Sequence, residues 1–241
     1  METKILAYSD NHGILPTIRN NVDLVLIAGD IVPLQYQTSN YLSEIWLFND
    51  FIKWGEKVKA KKIVFIGGNH DFYLENIKVN GKLDFFKDQI KKLSNDKMEY
   101  LCEELFVYNG ITIYGTPYCH KFGGWAFMPS DEQLKALFDE AEKKLKDIKI
   151  DILLSHDAPY GTSDQLLEHT VWNPTVPGPH IGSPALRDFI LNIQPLYNFH
   201  GHLHSTNHEE ELLGNTKVYN VSLVNEQYNN VFKPLILTIK K

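Results

Sequence analysis

Ile63-Val64-Phe65-Ile66-Gly67-Gly68-Asn69-His70-Asp71 contains the pattern on which the reading of the chain turns. A short apolar run of this kind suits a strand buried on both faces. The glycines then let the backbone turn. An amide, an imidazole and a carboxylate follow at the strand end, where ligands gather in open α/β sheets. The pattern recurs along the chain. Ile5-Leu6-Ala7-Tyr8 leads to Asp10-Asn11-His12, and the run 24–28 leads to Gly29-Asp30. Ile152-Leu153-Leu154 leads to His156, and Leu196-Tyr197-Asn198-Phe199 leads to Gly201-His202-Leu203-His204. Asp10 and His12 share a two-residue spacing with His202 and His204, so extended backbone would point each pair one way. Gly-Asp or a lone histidine occurs often by chance, but five such blocks in series predict a metal-dependent hydrolase.

Between the strands, apolar residues at helical spacing predict helices over 39–58 (Leu42, Ile45, Trp46 and Ile52, with the polar Asn49 on the same stripe), 83–93, 130–148 and 183–193. Ser130 with Gln133 reads as a capping box, and Pro184 suits a first turn. The second half turns antiparallel. Asn109-Gly110 and Gly214-Asn215 are hairpin signals, and 231–239 is placed to close a sheet. The stretch 173–184, rich in Pro and Gly, reads as a surface loop.

The chain has 241 residues, 43% of them hydrophobic and 12% aromatic, which fits one domain over 1–241 with a sizeable core. A net charge of -6 argues against a long nucleic-acid partner. No signal peptide and no run of roughly 20 apolar residues is present, so the expectation is a cytoplasmic protein off the membrane. Cys102 and Cys119 are the only cysteines, and a reduced compartment suits them. The oligomeric state is not legible.

In this order the blocks resemble the motif series of the calcineurin-like metallophosphoesterases. The resemblance implies a mixed α+β, four-layer αββα sandwich, two mixed β-sheets face to face with helices on both outer sides. It implies one metal held by Asp10, His12, Asp30 and His204. A second would be held by Asp30, Asn69, His156 and His202, with Asp30 bridging. Two divalent cations bring four positive charges and two carboxylates return two, leaving a site suited to a phosphate ester. Cations about 3.5–4 Å apart can share a bridging water as nucleophile. Asn69 and His70 are the catalytic positions, His70 facing the substrate and protonating the leaving alkoxide. Asp71 reads as orienting His70 or a ligand, or equally as a helix N-cap, and His200 as packing or as support behind the ligands. The cofactors implied are two divalent ions, Mn2+, Fe2+/Fe3+, Zn2+, Ni2+ or Co2+.

No arginine follows Gly29-Asp30, which disfavours a protein phosphatase. Ile113-Tyr114-Gly115-Thr116-Pro117, Phe122-Gly123-Gly124-Trp125-Ala126-Phe127 and Ser155-His156-Asp157-Ala158-Pro159 are similar to the small metallophosphoesterase-domain proteins related to class III cyclic-nucleotide phosphodiesterases. The likeness weakens over 75–104 and 166–179, read as lids or elaborations. Tyr118 and His120 are candidate substrate-binding residues, and Phe122 a further wall candidate; Trp125 and Phe127 read as packing. The partner expected is a small phosphorylated substrate. The alternatives are a nuclease, which needs a basic track such as Lys57, Lys59, Lys61 and Lys62, and a non-catalytic scaffold.

Overall fold

Alternation along the short strands sends their side chains into two cores. In β1 (Glu2–Tyr8), Ile5 and Ala7 face one core while Leu6 and Tyr8 face the other. In β2 (Val22–Ile27) and β3 (Ala60–Phe65), Leu24, Leu26 and Val64 side with Ile5; Val25, Ile27, Ile63 and Phe65 side with Leu6. A strand covered on both faces needs apolar residues at every position, hence unbroken runs in the sequence. The computed structural model describes residues 2–19, 21–166 and 178–241.

These strands pair in parallel, β4 (Met98–Tyr100) joins beyond β3, and β11 (Leu235–Lys240) joins antiparallel beyond β1. The second sheet comprises β5 (Glu104–Tyr108), β6 (Ile111–Thr116), β7 (Ile152–Ser155), β8 (Tyr197–His200), β9 (Glu211–Leu213) and β10 (Thr216–Asn220). Its order is β5-β6-β7-β8-β10-β9. Ile113, Ile152, Leu154 and Phe199 meet Ile5, Leu24 and Val64 in the core between the sheets, so both halves of the chain build it.

Helices cover the outer faces. On the first sheet lie α1 (Asn40–Trp46), a π-helical turn Leu47–Phe51, α2 (Ile52–Lys57), α3 (Phe72–Val79) and α4 (Leu83–Leu93). Phe51 sets its edge on Phe65 at 5.1 Å, and Phe86 on Tyr100 at 5.4 Å. On the second lie α5 (Asp131–Leu145) and α6 (Pro184–Ile193), where Phe138 stacks on Phe189 at 4.8 Å. The layers are those of an αββα sandwich. The expected capping box forms between Ser130 and Gln133, and Pro184 takes the first turn of α6, where Ser183 accepts from the Leu186 N–H. Asn109 and Gly110 both take positive φ, as a type I′ turn requires.

Two expectations are corrected. The helix expected over 39–58 is widened at its centre, which lets Leu47 and Phe51 both reach the sheet, while Leu42 and Ile45 remain exposed. Residues 75–104 are no lid, because α4 and β4 complete the first sheet and its cover. The sequence missed α3 and β4, each too short to carry a period. The segment 166–179 falls largely on 167–177, outside the described residues, as do residues 173–177 of the expected loop; its end at Ser183 and Pro184 caps and starts α6. Among the described residues no helix is long and apolar enough to cross a membrane.

Candidate metal centre

The loops after β1, β2, β3, β7 and β8 converge on one edge of the sandwich, and their backbones are not extended there. Asp10, His12, Asp30 and His202 have φ of 52°, 38°, 52° and 67°, a left-handed region uncommon outside Gly, though Asn, Asp and His enter it more readily than other residues. Such residues persist where surrounding structure dictates them, often at functional sites. The two-residue spacings therefore act through tight turns, not through strand alternation. The turns are braced: the Asp10 N–H donates to Gly29 O (3.1 Å) and the His12 N–H to Asp30 O (3.0 Å). The buried Asp71 carboxylate accepts from the N–H groups of Gly68 (2.9 Å), Val32 (3.0 Å) and Ile31 (3.2 Å). Burial, then the charge of Asp30, pushes that carboxyl up to about 7. Asp71 stands at the N-cap position of α3, yet its side chain neither caps the helix nor orients His70. It ties two ligand loops together. A side chain at Gly68 would collide with Asp30 and His156, and one at Gly201 with Asp10 and Ser9.

Donor atoms gather around Asp30. Its Oδ1 lies 3.3 Å from His156 Nε2, while its Oδ2 lies 3.8 Å from His12 Nε2 and 3.9 Å from His70 Nε2. Asn69 Oδ1 sits between His156 Nε2 (2.9 Å) and His202 Nδ1 (2.8 Å). Asp10 Oδ1 lies 3.4 Å from His204 Nε2, and Asp10, His12 and His204 offer atoms within 4.8 Å of one another. Both ring nitrogens of His12 are buried and without a hydrogen-bond partner. His156 bonds through Nδ1 to Ala28 O (2.7 Å) and His204 through Nδ1 to Asn225 O (3.2 Å). With the ring proton fixed outward, Nε2 is left facing the other donors, the arrangement of a metal-binding imidazole. The donor set fits a pair of divalent ions.

Charge is arranged to match. Burial pushes His12 and His202 down to about 4, keeping their lone pairs free at neutral pH. Burial works to raise Asp10 and Asp30, but His204 beside the first and His156 beside the second hold both below the usual carboxylate range. Burial opposes the charge on His156 too, yet Asp30 raises it to about 10. In the metal-free protein His156 therefore keeps its proton up to that pH. A cation must displace the proton before Nε2 can ligate. Metal affinity is expected to fall as pH decreases below about 10, with protons released on binding. Calorimetry in buffers of different ionisation enthalpy measures both; affinity flat with pH would contradict the arrangement.

His70 is placed through two contacts. Its backbone N–H donates to Asp30 Oδ1 (2.8 Å), and its Nδ1 bonds Gln37 Oε1. A carbonyl acceptor keeps the proton on Nδ1 and leaves Nε2 facing Asp30. Gln37, in the loop after β2, carries no sequence signal, because an isolated glutamine in a loop looks like any other. Gln37→Ala is expected to lower kcat about tenfold with KM changed less than about threefold. Steady-state kinetics would show it; an unchanged kcat would mean that Gln37 does not position the imidazole.

A cavity of about 910 Å3 opens over Asp30, Asn69, His70 and His202. His120 lines it, donating its backbone N–H to buried Asp157 (2.8 Å) with Nδ1 on the same oxygen (2.8 Å). Tyr118 does not line it: the ring is buried against Phe127 and the hydroxyl meets Lys78. Phe127 packs in the core as expected, but Trp125 is 36% exposed and lies 4.6 Å from the His70 ring, facing the cavity. Phe122 sits 5.2 Å from His202. His200 is buried and bonds Gly201 O (3.2 Å). Cys119, unforeseen here, is near His156 and His202, but burial pushes its thiol well up, and both cysteines are free. Lys61 pairs with Asp23 and Lys62 with Asp96 and Glu99; among the described residues no lysine or arginine lines the cavity.

A sandwich that gathers imidazoles, carboxylates and one amide at a single edge defines a class, and the comparisons agree. The chain matches the calcineurin-like phosphoesterase family over residues 3–206 and belongs to it. It is 26% identical over 238 residues to a UPF0046 protein of Caenorhabditis elegans, covering 90% of this chain and 54% of that protein, about half its length. It is 27% identical over 253 residues to the human metallophosphoesterase domain-containing protein 1, covering 98% and 71%. The solved structure of TT1561 of Thermus thermophilus shares the fold, with a TM-score of 0.60 at 16% identity over 91% of this chain and 89% of that one.

Proposed function

We propose that this chain is a dinuclear metal-dependent phosphoesterase that hydrolyses small phosphodiesters or phosphomonoesters, with His70 as general acid. Asp30 carries the reading, because its two oxygens face different ligand histidines, Oδ1 toward His156 and Oδ2 toward His12, with the Nε2 of His70 beside Oδ2 as the acid and not as a ligand. Divalent cations held by Asp10, His12, Asp30 and His204, and by Asp30, Asn69, His156 and His202, would acidify water and neutralise phosphoryl oxygens. Asn69 gives a neutral oxygen, so the donors contribute only two negative charges and leave the site attractive to a phosphate ester. Protonated His70 would donate from Nε2 to the departing ester oxygen. Imidazole, carboxylate and amide donors suit Mn2+, iron, Zn2+, Ni2+ or Co2+.

A cavity without lysine or arginine among the described residues favours a small substrate over a polymer backbone, which requires a track of cations. That weighs against the nuclease. Retention of every donor and of His70 weighs against the scaffold. Metal-supplemented protein should hydrolyse bis(p-nitrophenyl) phosphate or p-nitrophenyl phosphate and lose the activity on chelation. Inactivity with every metal above, on these esters and on nucleotide mono- and cyclic diesters, would return the chain to the scaffold reading.

A further inference from the structure

We propose that Tyr228 is a substrate-positioning residue, its ring forming the cavity wall over the Asp10, His12 and His204 side of the centre. The proposal rests on the phosphoesterase reading. Tyr228 stands in the turn 225–229 with φ of 59°, where a bulky side chain is a rare outlier. Turns needing that conformation ordinarily use Gly, Asn or Asp, whose short side chains tolerate it. Asn229 and Asn230 lie next in the chain, so a tolerant residue type is available one place away. The strained position nevertheless holds a tyrosine.

The turn is built to hold it there. Asn225 Oδ1 accepts from the N–H groups of Gln227 (3.1 Å) and Asn229 (3.0 Å), and Asn225 O accepts from the Tyr228 N–H (2.8 Å). The same carbonyl meets His204 Nδ1 (3.2 Å), and Glu226 Oε1 accepts from the Ser205 N–H (3.0 Å). The turn is thereby fastened to the loop that carries the C-terminal histidine pair.

Among the described residues, the only rings the Tyr228 ring meets are those of the centre. His12, His204 and His70 lie 4.9, 5.4 and 6.2 Å from it, at 83°, 79° and 78°. Tyr228 is still 38% exposed and lines the same cavity as Phe122 and Trp125. Its hydroxyl makes no hydrogen bond among the described residues, so the ring is the contacting part. An ester group bound over Asp30 would be confined between Tyr228 and the Trp125 side, which limits its rotation during attack.

The test uses Tyr228→Gly and Tyr228→Asn, both compatible with the backbone, and Tyr228→Phe, which keeps the ring. For the first two, the melting temperature of metal-free protein should hold or rise by about 2–4 °C as strain is released. Their KM for bis(p-nitrophenyl) phosphate, and their calorimetric Kd for phenylphosphonate on metal-loaded protein, should rise about tenfold. Tyr228→Phe should stay within about threefold of the parent in both. A melting point lowered by more than about 5 °C would make the ring a packing element and overturn the proposal. So would parental affinity in the Gly and Asn variants, or a Phe variant as weak as they are. If the parent protein itself shows neither metal-dependent binding of phenylphosphonate nor turnover, the phosphoesterase reading fails and takes this inference with it. A parent that binds and turns over, with variants that match it, sinks the inference alone.

Discussion

Asp30→Asn is expected to lower kcat by about 10³-fold or more and to reduce bound metal from about two equivalents to one or fewer. The substitution keeps shape and leaves an oxygen able to accept the His70 N–H, so the loop should close as before. It removes the charge that serves both groups of donors at once. With Asp10 the sole remaining carboxylate among the proposed ligands, two divalent ions would meet one negative charge in a buried site, and their repulsion would be undamped. The metal-free protein gives an independent check. His156 is raised to about 10, against the effect of burial, chiefly by Asp30; without that charge burial should weigh more, opposed only by Asp10 and the Ala28 carbonyl, and the pKa of His156 should fall. Elemental analysis, kinetics and histidine titration by NMR report these separately. Two tightly bound metals with parental kcat would show that Asp30 bridges nothing.

The sequence displayed the sandwich and the donors for the same reason. A strand buried on both faces must be apolar throughout, and a loop that carries ligands must interrupt it sharply, so each block is bracketed by its surroundings. Asp10, His12, Asp30, Asn69, His156, His202 and His204 all lie at one edge of the fold. What escaped was whatever acts at a distance along the chain. Asp71 ties the loop after β2 to the loop after β3 by accepting backbone N–H groups, which have no sequence identity. Gln37 reaches His70 from a turn without periodicity. Trp125 and Tyr118 were read with opposite emphasis, because an aromatic residue in a loop shows its size and not its direction. Tyr228 went unnoticed, since a tyrosine in left-handed backbone looks in sequence like any exposed tyrosine.

His70→Ala should lower kcat by about 10²–10⁴-fold on an ester with a poorly stabilised alkoxide leaving group. On bis(p-nitrophenyl) phosphate the loss should be about tenfold, since p-nitrophenolate departs readily without a proton. The contrast separates two roles that one substrate cannot. A residue that only stabilises phosphoryl oxygens would cost both esters equally, because those oxygens are common to both. A residue that protonates the departing oxygen costs most where that oxygen is most basic. Geometry favours the second role: Nε2 faces the centre at 3.9 Å from Asp30 Oδ2 while Nδ1 is held by Gln37. The donors of the metal centre are untouched by the substitution, so metal content should stay parental, which distinguishes it from Asp30→Asn. Measuring kcat across a series of aryl and alkyl esters gives the dependence on leaving-group pKa. For His70→Ala that dependence should steepen; a slope equal to the parent's would remove the acid role and leave His70 a phosphate-binding group.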